Sequence, residues 1–410
     1  MTYVVNPGNV DFPPPDGCVP RSSEPDARSD SEILDSLTSH IPTTDSEKNI
    51  WAYWHTGFES MPPWTKRNVI SWCRLQGPSW TIRVLDNVPG SPNNLLNFVP
   101  IDFFPPAFKS GKMAGPYVAT HSADLVRLPL LQLYGGIWLD VGIILIRELN
   151  SMWNVLCDPT NKFEFAALTF TCRPDEEVVI NAFFMARANN ELAERWHKTY
   201  LAVWGDATEC TGFSEHALLK HVPIYGTPTE EMNAPEIKVS QRGIMDYGAH
   251  VLCFERLRDL VDVDDGWNGR EYFENKMFLL KGLDEMWRYQ TTTAFSGQVQ
   301  FEKLCTKLDG SSAQGEDATK AKEAKMWIDD LLANTTMLKF CHGPKGAIES
   351  ALADLYDDPK NADRDCEPGT AAVYLRRGIL EFDQTRELKP LQIEKPKAKV
   401  WNVGFLDPFV

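Results

Sequence analysis

Asp124, Arg127 and Asp140 are the residues whose types and spacing offer the most chemistry. Asp124 and Arg127 stand three positions apart, so on a helix they share one face. Carboxylates accept hydrogen bonds from sugar hydroxyls, and an arginine fork grips pairs of oxygens in fixed geometry. A carboxylate at a strand's exit can also hold a divalent cation against a diphosphate as that diphosphate leaves. Together the three suggest a site for a polyhydroxylated ligand with a negatively charged portion. The plainer reading is a local ion pair on a helix and an aspartate that caps a turn, and spacing alone does not separate the two.

The elements that must position these residues lie in ATHSADLVRLPLLQLYGGIWLDVGIILIREL, residues 119–149. Val126, Leu130 and Leu133 recur at helical spacing, which predicts a helix packed on a sheet. Pro129 falls inside it and predicts a kink or an irregular first turn. Gly135 and Gly136 stop the helix, Ile137, Trp138 and Leu139 form a short buried strand, and Asp140 sits at its exit. Upstream, NIWAYWHTG reads as a strand buried on both faces. Pro62 and Pro63 open a helix to about Gln76, with Val69, Trp72, Cys73 and Leu75 as its apolar set. WTIRVLDN (80–87) is a second strand, so this opening predicts a parallel pair with a right-handed crossover. Residues 88–117 are a loop-helix excursion. Further strands are expected at 143–146, 163–170 and 181–187, and a helix at 191–204.

The second half reads as more helical, with EHALLKHV, YGAHVLCFERLRDLV, VQFEKLCTKL and KAKEAKMWIDDLLAN as helices. A charged insertion spans 309–325. MLKFCHGPKG is a strand and turn, followed by the helix AIESALADLYDD. Residues 1–48, rich in Pro, Ser and Asp, form an arm draped on the surface or disordered, and 386–410 form a peripheral strap.

Composition bounds the function. The 410 residues, 43% of them hydrophobic, can bury a large core. A formal net charge of -16 argues against nucleic acid or an anionic membrane as the main partner. The 9 cysteines are scattered, with no CxxC pair, which fits free thiols in a reducing compartment. No apolar run approaches the ~20 residues that span a bilayer, and no signal peptide is visible. These features predict a soluble, cytoplasmic protein without an integral membrane segment.

SADLVRLPLLQLYGGIWLDVGI closely resembles the S-D-L-x-R…L-x-x-x-G-G-x-(W/Y)-x-D-x-D signature of glycosyltransferases with a DXD-containing sugar-binding region. These include the capsular-polysaccharide-synthesis type, certain mannosyltransferases and the clostridial glucosylating toxins. NIWAYWHTG stands where the family has I-P-x-x-I-H-x-x-W-x-G, with Trp54 at the matching tryptophan. MPPWTKRNVISWCRLQGPSWTIRVLD is similar to the family's next helix and strand. The match covers Asn49 to Leu149, and VVINAFFMARANNELAERW adds a looser one. The resemblance implies an α/β GT-A fold: a Rossmann-like nucleotide-binding half (49–190) with a mixed central sheet, then a helix-rich acceptor-side half (191–385). It implies transfer of a hexose from a UDP- or GDP-linked donor, with retention at the anomeric carbon. Trp54 would stack on the base, Asp124 and Arg127 would hold the sugar hydroxyls and the diphosphate side, and Asn181 would reach a sugar. Asp140 is the first Asp of the DXD element, touching ribose and a Mn²⁺ or Mg²⁺ ion.

One departure matters: the second Asp of that element, usually the direct metal ligand, is Gly142. Either Asp140 works with another ligand or a cationic side chain replaces the metal. The resemblance makes His342 a candidate late metal or diphosphate ligand, with Lys345 beside it towards the leaving group, set against a histidine in a turn beside a strand. His55 is a candidate for the diphosphate or for packing. The 13 tryptophans read as mostly core, with Trp138 and Trp267 as candidate sugar-stacking faces. DVDDGWNG (262–269) fails as an EF-hand and reads as a solvated loop: counting from Asp264, position 3 is Gly266 and position 12 is Asn275. The expected activity is therefore glycosyl transfer to a small molecule, glycan, lipid-linked saccharide or protein. A glycosyltransferase-like protein that binds donor or glycan without turnover is the alternative.

Overall fold

A computed structural model describes residues 12–23, 25–173, 176–225, 240–308, 315–342, 351–393 and 398–409. Lys345, the start of the charged insertion, the first turn of the expected helix AIESALADLYDD and part of the C-terminal strap lie outside the described residues.

Twelve strands occur among those residues: β1 (Cys18–Pro20), β2 (Asn49–Tyr53), β3 (Thr81–Leu85), β4 (Gly136–Leu139), β5 (Ile143–Leu145), β6 (Phe165–Arg173), β7 (Glu176–Ala186), β8 (Leu260–Asp262), β9 (Met277–Lys281), β10 (Met337–Lys339), β11 (Phe382–Gln384) and β12 (Trp401–Val403). Six of them form the central sheet in the order β3-β2-β4-β7-β6-β9. The pairs β3·β2, β2·β4 and β6·β9 are parallel, while β7 runs antiparallel to both of its neighbours. This mixed sheet flanked by helices is the α/β GT-A architecture implied by the resemblance. The parallel β2·β3 pair joined by the helix Pro63–Gln76 is the expected β-α-β opening.

Why β2 lacks alternation is visible in its packing. Ile50 and Ala52 belong to one apolar core, with Val69, Trp72 and Cys73 of the helix Pro63–Gln76. Trp51 and Tyr53 belong to the core on the opposite side, with Leu125, Val126 and Leu130 of the central helix Val118–Tyr134. A strand covered by a helix on each face has no solvent side to mark with polar residues. The central helix runs through Pro129 without a break. Its apolar surface is wider than the predicted stripe: Leu125, Leu128 and Leu131 are fully buried, whereas Leu133 is only partly so.

Gly135 ends this helix at φ 63° and ψ -172°, its amide bonded to the Leu131 carbonyl at 2.9 Å. Gly136 follows at φ 104°, and a Cβ there would lie 2.2 Å from the Asn49 carbonyl oxygen. The double glycine therefore serves two purposes: it stops the helix, and it lets β4 press against the backbone entering β2.

Several expectations are corrected. The N-terminal segment is not merely draped on the surface. β1 pairs antiparallel with β11, and the capped helix Asp30–Thr38 buries Ile33 and Leu37 in the main core. IILI does form the expected short strand, β5, which pairs antiparallel with β10, far along the chain. EHALLKHV forms no α-helix, only a 3₁₀ turn at Phe213–Glu215. The acidic stretch 262–269 is only partly solvated, because Asp262 is buried against Arg195 at 2.6 Å. The tail does act as a strap: β12 pairs parallel with β8, and Arg256 donates to the carbonyls of Phe405 and Asp407. All eight cysteines whose side chains are described are free.

Gly136→Ala should lower stability by about 3 kcal/mol or more, since it adds both a backbone clash and a left-handed conformation. The drop is read as a shift in thermal unfolding, with Gly205→Ala, where a Cβ has 3.8 Å of room, as the milder comparison.

Candidate active site

The site forms where β4 ends. The Asp140 amide donates to the Ala182 carbonyl of β7 at 3.1 Å, which places Asn181 beside the strand's exit. Arg127 reaches across from the central helix. One guanidinium nitrogen lies 2.7 Å from Asp124 Oδ1, and the other donates to the Asn181 carbonyl and lies 3.9 Å from Asp140 Oδ1. Asn181 closes the ring, its amide donating to Asp124 Oδ1 at 2.8 Å. Asp124, Arg127, Asp140 and Asn181, read from separate stretches of sequence, are thus brought together. Asp124 and Arg127 do form a helix ion pair, but a buried one wired to two other strands. Nor does the Asp140 side chain cap the turn, which is closed by the Ile143 amide on the Asp140 carbonyl at 2.9 Å.

Lys339, at the end of β10, is the residue that sequence reasoning missed. Its ammonium donates to Asp140 Oδ2 at 2.8 Å. On the other carboxylate oxygen, Trp138 Nε1 donates at 2.9 Å. The Trp138 indole is 1% exposed and carries the Arg127 guanidinium 5.0 Å above its ring. It is a strut for the site and offers no sugar-stacking face. Trp267 is likewise enclosed, beneath Arg195 at 5.0 Å.

Exposure grades the cluster. The side chains of Asp124 and Arg127 are 3% and 2% exposed, whereas Asp140 and Lys339 are 24% and 22% exposed. Asp140 and Lys339 are therefore the groups an incoming ligand meets, with the Asp124–Arg127 pair behind them. Burial by itself would raise the Asp140 carboxyl. The Lys339 and Arg127 charges, with hydrogen bonds from Lys339 and Trp138, outweigh it and hold that carboxyl below the usual range. Burial dominates at Asp124 and raises it despite Arg127. Burial, seconded by the Arg127 charge, keeps the His250 imidazole neutral. His250 lies 3.3 Å from the Asn181 amide and stacks on Trp196.

Gly142 has a physical reason. A Cβ there would stand 2.7 Å from the Phe340 carbonyl oxygen, and the Phe340 amide donates to the Gly142 carbonyl at 3.0 Å. The chain leaving β10 fills the space a second aspartate would need. The loop between β4 and β5 is also held from the other side. Asn68 donates to the Val141 carbonyl at 3.1 Å and accepts from Arg376 at 3.0 Å, and Trp72 donates to the Ile143 carbonyl at 2.8 Å. Behind Asn68, the buried Asp365 carboxylate is shared by Arg67 and Arg376.

The remaining candidates sit as follows. Trp54 directly follows β2, half-buried, its indole donating to Ser60 Oγ at 3.1 Å. His55 is half-buried, and burial depresses its imidazole. His342 pairs with Asp357 at 2.7 Å, and that hydrogen bond raises its pKa. The donor set does not fit a divalent ion. Both Asp140 oxygens are engaged, position 142 has no side chain, and His342 is committed to Asp357. Among the described residues no three His, Cys, Asp or Glu converge.

Comparison with known proteins gives the following likenesses. A family profile described as Capsular polysaccharide synthesis protein matches residues 24–219. The O-glycosyltransferase PaGT of Phomopsis amygdali is 52% identical over 402 residues, covering 97% of each chain. The O-glycosyltransferase braB of Annulohypoxylon truncatum is 43% identical, covering 93% of this chain and 91% of its own. The glycosyltransferase afumC of Aspergillus fumigatus is 40% identical, covering 94% and 98%. Among solved structures, the PaToxG glycosyltransferase aligns with 42% of this chain and 66% of its own, at 16% identity and a TM-score of 0.29. The relatives, 40% to 52% identical over nearly the whole chain, define a sugar-transferring enzyme, and the chain belongs to this glycosyltransferase family.

Two measurements test the site's supports. Asn68→Leu leaves the Val141 carbonyl without its donor; it should cost about 2 kcal/mol and lower turnover at least tenfold, read by melting and by transfer rate. His342 has a folded pKa above its unfolded value, so its contribution is fully present below about pH 6.5 and is lost as pH rises through the folded value. The melting difference between wild type and His342→Gln should therefore be largest near pH 6 and close by pH 9.

Proposed function

We propose that this enzyme transfers a hexose from a UDP- or GDP-linked donor to an acceptor hydroxyl, with retention at the anomeric carbon. The observation that carries this reading is Asp140 at the exit of β4, partly open and flanked by Arg127, Lys339 and Asn181. In open α/β sheets ligands bind at the carboxyl ends of parallel strands, and β2, β3 and β4 all end toward this edge. Trp54, the residue after β2, would stack on the base. Two relatives are named as O-glycosyltransferases, which supports an oxygen acceptor.

Transfer passes through an oxocarbenium-like state at the anomeric carbon. What the protein contributes is orientation of donor and acceptor and fixed charge for the departing diphosphate. Asp140 orients the donor, while the Asp124–Arg127–Asn181 ring keeps Asp140 in place.

The test is nucleotide release from a panel of UDP- and GDP-sugars. Wild type should release nucleotide, and Asp140→Asn should reduce release at least a hundredfold while still melting cooperatively. Donor binding without release from any sugar, under any condition, would leave a binding protein in place of an enzyme.

A further inference from the structure

Lys339 stands where the family resemblance calls for a metal ion. Strand β10 takes no part in the central sheet, and its pairing with β5 sets Lys339 opposite Ile143, next to the Asp140–Gly142 turn. The ammonium makes one hydrogen bond, to Asp140 Oδ2 at 2.8 Å, and its other two N–H donors have no acceptor among the described residues. It is 22% exposed, beside a carboxylate of similar exposure. Burial would push Lys339 towards losing its proton, but the Asp140 charge reverses this and keeps it an ammonium.

A charge count sets the roles. Two aspartates and a divalent cation sum to zero; so do one aspartate and one lysine. Replacing the second aspartate by Gly142 and the metal by Lys339 leaves the site's net charge unaltered. The exchange is also built in sterically, because the Phe340 backbone occupies the space of a residue-142 side chain. Arg127, at 3.9 Å from Asp140, does not fill this role: it is 2% exposed and already engaged by Asp124 and Asn181.

Resting on the donor reading above, we propose that Lys339 is a catalytic residue that binds the donor's diphosphate in place of a divalent cation, so that transfer is independent of metal. As the bond from the anomeric carbon to the β-phosphate oxygen breaks, its electron pair stays on that oxygen, which Lys339 faces as a permanent positive charge. The acceptor hydroxyl oxygen forms the new bond to the anomeric carbon, and its proton passes to the departing phosphate oxygen. Lys339 stays protonated throughout.

Calorimetric titration of the full chain with UDP, GDP and their nucleosides, in EDTA and then in Mn²⁺, tests this alongside nucleotide release in the same buffers. Wild type should bind its nucleoside diphosphate within twofold and turn over equally in both buffers. Lys339→Met should weaken nucleoside diphosphate binding at least thirtyfold and leave nucleoside binding within twofold, while Lys339→Arg keeps part of the affinity. Loss of binding or turnover in EDTA, restored by Mn²⁺, overturns the proposal, as does undiminished diphosphate binding by a folded Lys339→Met. The wild-type chelation arm decides the matter even where that variant does not fold. Failure of wild type to bind any nucleoside diphosphate in either buffer overturns the donor reading itself.

Discussion

An ionised carboxylate at a sheet's buried edge is unfavourable unless positive charge and hydrogen-bond donors meet it, and Asp140 is met from three sides. Trp138 comes from its own strand, Arg127 from the helix before it, and Lys339 from β10, almost 200 residues later. Each of these needs its own support. Arg127 needs Asp124 and the Asn181 carbonyl; Lys339 needs β5 as a partner strand; β5 needs Trp72 and, through Val141, Asn68. Much of the C-terminal half can be understood as what keeps one carboxylate charged and aimed.

That dependence explains how the two parts of the chain become one unit. The N-terminal strands supply the sheet edge, yet the segments that complete the site arrive from 250, 339 and 376. The buried Arg67–Asp365–Arg376 cluster binds the helix Ala371–Glu381 to the helix beside β2. A charged group of that kind contributes little net stability compared with an apolar core. Its value is directional, since it fixes where Asn68 points and therefore where the loop after Asp140 runs.

Much of this was legible in the sequence where local rules dominate. The helix Pro63–Gln76, the double-glycine stop and the exit of β4 at Asp140 follow from proline at N1, glycine at positive φ and apolar runs. Asn181 was reachable only through family resemblance, as the register between β4 and β7 is set by long-range pairing. Lys339 was unreadable: a lysine at the end of a three-residue strand carries no periodic signal, and its meaning comes from a partner at Asp140. Trp138 misled for a related reason. Composition suggests an aromatic face for sugars, but β4 is covered on both sides, so the ring's only polar atom turns inward to the carboxylate.

Gly142 carries a consequence for how such a site changes over generations. With the Phe340 carbonyl resting where a side chain would go, placing an aspartate at 142 demands that β10 retreat, and retreat of β10 withdraws Lys339. Neither substitution is tolerable ahead of the other. The arrangement behaves as a ratchet: a two-carboxylate version of this site lies across a valley, since an aspartate at 142 and the present course of the chain after β10 exclude one another.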